Sequence, residues 1–420
     1  MSSQDDSRSS VDTGSPPSSP AGQGGESRKI RLALVLTGGG ARGAYQVGVL
    51  RGLGRHFPEL TFPIITGVSA GAINAVYVAS RQGGLDSISR RLAAFWRSIQ
   101  VDDVVESNWS WLMANFAKWT TLLGTGSDTH ARALLDTEPL RRMLSRVYED
   151  KGGPIPGIDE NLKSGDLEAV AISSVNYGTG QTVTWVQGRD VDPWHAPNRV
   201  GRLTRLKLEH VMASAALPLI FPAVELEDGW HGDGGIRFAA PLSPALHLGA
   251  DRILAISTRY ARSDAEAAES AIDGYPAPAQ IAGNLMNAIF LDLLDQDVQR
   301  LERTNRLVRR IPEEERDGVR PVDLTVIRPS VDLGRLSSQF EPQLPKGYNF
   351  LTKNLGAGQT RSPDFLSLLM FEGEYARQLI EIGERDVESQ LDTLKPWIQT
   401  ILDSYSPKTS GSPKSSEDSP

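Results

Sequence analysis

The chain has 420 residues, 39% of them hydrophobic and 23% charged, which excludes a wholly disordered, collagen-like or coiled-coil protein. Lys and Arg number 44 against 52 Asp and Glu, a formal charge of −8 that argues against a large nucleic-acid footprint. With no cysteine there is no disulfide framework, thiol nucleophile or Cys-ligated metal, and no apolar run of roughly eighteen residues predicts a transmembrane helix.

Residues 1–29 are rich in Ser, Gly, Pro and Asp and read as a disordered tail; 406–420 read the same way. The N-terminus carries acidic residues and serines where a signal peptide would place basic and then apolar ones, so the expectation is a cytoplasmic protein, with peripheral membrane contact left open. Ile30-Arg-Leu-Ala-Leu-Val-Leu36 is a short apolar run with the length of a buried strand. Gly43 to Phe57 has helical spacing, with Tyr45, Val49 and Leu53 on one face. Phe62-Pro-Ile-Ile-Thr66 predicts the next strand and Ala70–Arg81 a small-residue helix.

Residues 82–165 read as a helical, lid-like insertion. Within it Trp109, Leu112, Met113, Phe116 and Trp119 recur at helical spacing, beside Trp111. A helix packed on the core is the expectation, because only Lys118 adds positive charge; a lipid-facing surface is the alternative. Further strands are expected at Glu168–Val175, Thr182–Gln187, Arg252–Thr258 and Val322–Arg328. Strands alternating with helices predict an α/β fold with a mostly parallel sheet covered on both faces. The division expected is a catalytic domain over 30–250 and a C-terminal α/β extension over 251–405 packed on it.

Three clusters carry chemistry. Gly38-Gly-Gly-Ala-Arg-Gly43 follows the first strand and opens a helix, where backbone without Cβ can approach an anion and unpaired N–H groups point at it. A dinucleotide site would also need an acidic residue at the end of the second strand; Glu59 lies before that strand begins, so the nucleotide reading loses its ribose partner. Gly67-Val-Ser-Ala-Gly71 stands between a strand and a helix, the context of a nucleophile elbow that exposes Ser69, with the helix N-terminus favouring a developing alkoxide.

Serine needs a base. The candidate acid is Asp233, in His231-Gly-Asp-Gly-Gly235. Of the histidines at 56, 130, 195, 210, 231 and 247, only His247 follows Asp233, in a stretch that looks like a helix packed on the core. A two-member site, Ser69 with Asp233 as direct base, therefore fits better than an α/β-hydrolase triad of Ser69, Asp233 and His247, which remains the alternative.

Thr37-Gly-Gly-Gly-Ala-Arg-Gly43, Gly67-Val-Ser-Ala-Gly71 and Asp233-Gly-Gly235 together resemble the three signatures of patatin-like phospholipases, in the family's order. Ala213-Ser-Ala-Ala-Leu-Pro-Leu-Ile-Phe-Pro222 is similar to the segment preceding the family's aspartate, and the likeness covers roughly 31–250. Val326–Ser330 and Leu366–Phe371 resemble longer bacterial members. The resemblance implies a three-layer α/β/α sandwich of the patatin and cytosolic phospholipase A2 catalytic-domain type. It implies Ser69 as nucleophile, Asp233 as general base, and the N–H groups of Gly38, Gly39 and Gly40 as oxyanion hole. Gly43, Gly67, Gly71, Gly234 and Gly235 support the motifs, and Arg42 would orient the loop or a substrate phosphate. His231-Gly232 departs from the aromatic or aliphatic residue that members often carry there, and His231 is not expected to act catalytically.

The implied activity is hydrolysis of lipid carboxylic esters, phospholipid or lysophospholipid foremost, through an acyl-enzyme. No metal or other cofactor is expected: H-E-x-x-H and EF-hand patterns are absent. The expected partner is a lipid substrate, not nucleic acid. A protein that keeps the pocket without turnover is the competing class.

Overall fold

The computed structural model describes residues 29–106, 133–237, 240–263, 266, 268, 293–345 and 364–405. The two tails expected to be disordered, apart from Lys29, and the Trp-rich stretch 108–119 lie outside the described residues.

Among the described residues ten strands form one sheet: β1 (Leu32–Leu36), β2 (Ile64–Val68), β3 (Ala169–Asn176), β4 (Thr182–Gly188), β5 (Trp194–Ala196), β6 (Arg199–Leu203), β7 (Val224–Leu226), β8 (Gly229–Asp233), β9 (Arg252–Ile256) and β10 (Asp323–Ile327). The spatial order is β10-β9-β1-β2-β3-β4-β6-β5, with β8 on β3 and β7 on β8. From β10 to β3 every pair is parallel; β3–β4, β3–β8, β5–β6 and β7–β8 are antiparallel. The region beyond residue 250 thus contributes β9 and β10 to the same sheet, hydrogen-bonded in register alongside β1.

Strand alternation divides the core in two. Leu32, Leu34 and Leu36 face one apolar cluster, Ala33 and Val35 the other. Over the first lie α1 (Gly43–His56), α2 (Ala70–Ser80) and α3 (Leu85–Ser98). Over the second lie Leu242, Ala245 and Leu248 of the short helical segment around Ser243–His247, with Leu294 and Leu301 of the helix Leu293–Val308. The result is a mixed, mostly parallel sheet between helical layers.

The α1 pattern predicted one apolar face, yet Gln46, Val47, Gly48 and Leu50 are buried as well. The helix Gly373–Ser389 covers the outer side of α1, and Gly48 lies against the backbone of Ile380 so tightly that a Cβ would stand 2.1 Å from its carbonyl oxygen. A polar network is sealed between these layers. Gln46 donates to the Thr37 carbonyl at 2.7 Å, Asn74 to Gln46 at 2.9 Å, and Trp96 to Asn74 at 2.8 Å. It ties α1, α2 and α3 to the entry of the glycine loop.

Candidate active site

The first strand ends at Leu36 and the chain turns through Gly38–Gly40 into α1. The second ends at Val68, and Ser69 stands at the N-terminus of α2 with φ 57° and ψ −131°. That region is strained for a residue with a Cβ, and such strain gathers at functional positions. Gly71 makes the turn possible: a Cβ there would lie 2.3 Å from the Leu36 carbonyl oxygen. With α2 pressed this close to β1, Gly38 comes against the serine, where its own Cβ would be 3.1 Å from Ser69 Cβ and 3.8 Å from Oγ.

Register brings the aspartate to the same point. The last pair of β2 with β3 is Val68 with Ser173; the first pair of β8 with β3 is Asp233 with Ser174. Parallel β2 and antiparallel β8 therefore meet end to end along one edge of β3. Ser69 and Asp233 are the residues at that meeting. A Cβ on Gly234 would be 2.9 Å from Val68 Cγ2, which measures how closely the two strand ends abut.

Asp233 is fully buried. Its Oδ1 accepts the Gly235 N–H at 2.8 Å, while Oδ2 is buried with no hydrogen-bond partner. Desolvation pushes the carboxyl up to about 7; the Ser69 hydroxyl and the Gly235 N–H, which favour the ionised form, pull partly the other way. The aspartate amide donates to the Ala216 carbonyl at 2.8 Å, so the segment Ala213–Phe221 holds its backbone. Tyr177, half exposed, lies over Gly232, and burial together with the Asp233 charge raises its phenol.

Among the described residues, no acceptor takes the backbone N–H of Gly38, Gly39 or Gly40. Gly40 has φ +52° and lies against the Leu368 carbonyl, 2.1 Å from where a Cβ would be. Arg42 is buried, and its Nε donates to Ser367 Oγ at 2.6 Å. Gly43 opens α1 against Ala70 and Trp96. The guanidinium is thus engaged beneath the loop. Among the described residues no three His, Cys, Asp or Glu side chains converge as a metal-binding group.

The two histidines weighed as acid–base groups stand elsewhere. His231 is buried, with Nδ1 2.9 Å from Ser174 Oγ and Nε2 2.7 Å from Asp228 Oδ1, and burial lowers its pKa. His247 stacks on Trp194, ring centroids 4.8 Å apart and planes 8° off parallel, and makes no hydrogen bond to Asp233. Glu59 lines a cavity of about 330 Å³ near Pro58 and Phe62, before β2 begins and away from the glycine loop.

Three hydroxyl residues around the site were not singled out by the sequence: Ser214, Thr258 and Ser367. Ser214 had a signal, as the polar residue inside Ala213–Pro222. Thr258 had another, as a polar residue at the C-terminal end of a predicted strand, where α/β ligand sites gather.

Residues 34–246 match the model of the family described as patatin-like phospholipase. Among solved structures the chain is similar to human GIVD cytosolic phospholipase A2 in complex with methyl gamma-linolenyl fluorophosphonate, at 13% identity over 90% of this chain and 60% of that one, with a TM-score of 0.41. It is also similar to VipD from Legionella pneumophila, at 13% identity over 78% of this chain and 67% of that one, with a TM-score of 0.30. The chain spans about 60% of the length of the human phospholipase. No curated protein sequence gives a significant match.

Proposed function

The chain belongs to the patatin-like phospholipase family, and from that premise we propose that it is a lipid acyl hydrolase working through a Ser69–Asp233 dyad. Ser69 Oγ attacks the ester carbonyl carbon while its proton passes to Asp233 Oδ2. The carbonyl oxygen becomes an oxyanion, met by the N–H groups of Gly38–Gly40 and by the positive end of α2. Collapse breaks the carbon–oxygen ester bond; the leaving alcohol or lysolipid takes the proton from Asp233, and the acyl group stays on Ser69. Water then attacks the acyl-enzyme, giving its proton to Asp233; the acyl carbon–Oγ bond breaks, Asp233 returns the proton to Ser69 Oγ, and the fatty acid leaves.

The observation that supports this reading most directly is the end-to-end meeting of β2 and β8, which sets a strained serine beside a buried carboxyl whose Oδ2 has no hydrogen-bond partner. A carboxyl raised to about 7 is a base matched to neutral pH. Phospholipid or lysophospholipid is the proposed substrate class, on the strength of the family.

Hydrolysis of p-nitrophenyl acyl esters and of phospholipid vesicles by wild type, Ser69→Ala and Asp233→Asn, with fluorophosphonate labelling and peptide mapping, tests it. Label on Ser69 and loss of turnover in both variants support the dyad. A folded wild type that neither labels nor turns over would hand the reading to a binding protein.

A further inference from the structure

A peptide flanked by glycines on both sides flips cheaply, because neither residue has a Cβ to bar the alternative conformation. The Gly38–Gly39 peptide is of this kind, yet its direction decides whether the site offers a donor or an acceptor to the oxyanion. Something outside the loop has to hold it.

Thr258 follows β9 and is buried. It lies beyond the family segment 34–246. Its Oγ1 donates to the Gly38 carbonyl at 2.7 Å, and a Cβ on Gly39 would be 2.5 Å from that same oxygen. The hydroxyl therefore rests directly on the Gly38–Gly39 peptide. Just upstream, the Ile256 carbonyl of β9 accepts the Thr37 hydroxyl at 3.2 Å, so the same strand anchors the entry of the loop.

In a trans peptide the C=O and the following N–H point in opposite directions. No peptide bond among the described residues is cis. With the Gly38 carbonyl turned to Thr258, the Gly39 N–H is turned away from it, and no described acceptor consumes that N–H. A flipped peptide would aim a carbonyl oxygen where the donor now points, and a developing oxyanion would meet like partial charge.

We propose that Thr258 is a positioning residue: its hydroxyl holds the Gly38–Gly39 peptide with the N–H presented to the oxyanion. The proposal rests on the Ser69–Asp233 reading above. It places one determinant of catalysis in the C-terminal part of the chain, outside the three signatures.

The test compares wild type, Thr258→Val, Thr258→Ser and Ser69→Ala for kcat and KM on p-nitrophenyl butyrate and for the rate of labelling by a fluorophosphonate, whose tetrahedral phosphorus needs the same donors. Valine keeps the shape and removes the hydroxyl. It should lower kcat and labelling rate about tenfold or more, short of the 10²–10³ lost when a donor is deleted outright, with KM within about twofold. Serine should restore most of the rate. Wild-type kcat in the valine variant, a loss confined to KM, or a serine variant as slow as valine would each overturn the proposal. Should the valine variant not fold, Thr258→Ser against Thr258→Ala repeats the comparison, and equal rates in that pair overturn it. If wild type itself neither hydrolyses nor labels, the dyad reading falls first and takes this one with it.

Discussion

Ser214 Oγ accepts the backbone N–H of Ser69 at 3.0 Å and donates to the Ser173 carbonyl at 2.7 Å. One buried hydroxyl thus satisfies two backbone groups where β2, β3 and α2 converge. The Ser69 amide is taken up inside the fold, so under the proposed dyad it is not itself an oxyanion donor. Ser214→Ala would strand both backbone partners, at a cost of about 1–3 kcal/mol. Thermal denaturation should show a lowered Tm, and labelling at Ser69 should slow; a variant with unchanged Tm and labelling would mean the elbow holds itself.

The raised Asp233 carboxyl makes opposite demands on activity and stability. In its proposed role as base it would work ionised, so kcat should climb about tenfold per pH unit below neutrality and level off above about 7. Its folded pKa lies above the unfolded value, so the folded state keeps a proton that the unfolded chain has released. This group's contribution to stability is whole below the unfolded carboxyl range and is lost as pH rises to about 7, at roughly 1.4 kcal/mol per unit. Asp233→Asn, neutral at every pH, should therefore abolish turnover and raise Tm at pH 8. A lower Tm there would contradict the assignment.

Ser69 is buried at the strand-to-helix turn and carries backbone strain there, at φ 57° and ψ −131°. Glycine takes that conformation freely, alanine does not. Ser69→Gly and Ser69→Ala should both be inactive, but the glycine variant should be the more stable by about 1 kcal/mol or more in urea denaturation. Equal midpoints would show the elbow to be unstrained.

Gly40 combines φ +52° with the Leu368 carbonyl 2.1 Å from a Cβ position, whereas nothing lies within 4 Å of a Cβ on Gly153. Gly40→Ala should push the loop off the segment Asp364–Leu369, cost about 2 kcal/mol or more and lose most activity. Gly153→Ala should match wild type in both assays. The pair is read by Tm and by ester hydrolysis.

His247→Ala separates the dyad from the triad. The ring stacks on Trp194, so its loss should cost about 1 kcal/mol of stability and leave kcat within about twofold. A folded variant without turnover would reinstate a histidine base.

Glycine triplets, a serine between two glycines and an aspartate before two more were legible as chemistry because those residue types tolerate turns and close approach that others do not. The strands at 30–36 and 62–66 were legible as short, mostly apolar runs, and those at 168–175 and 182–187 as short stretches rich in β-branched and apolar residues. The four strands β5 to β8 were not. Gly229-Trp-His-Gly-Asp233 has no apolar run and pairs with β3 over only Ser174–Asn176, so its identity lies in its partner. The full burial of α1 was hidden for the same reason, since its outer face is covered by a helix some 340 residues further on. Local composition thus determined which residues had the means to react and roughly which segments were strand or helix. Only the tertiary structure decided that β8 continues the line of β2 along β3, and that Thr258 reaches back to Gly38. Pairing between distant segments is set by register and burial across the whole sheet, and no window of sequence carries it.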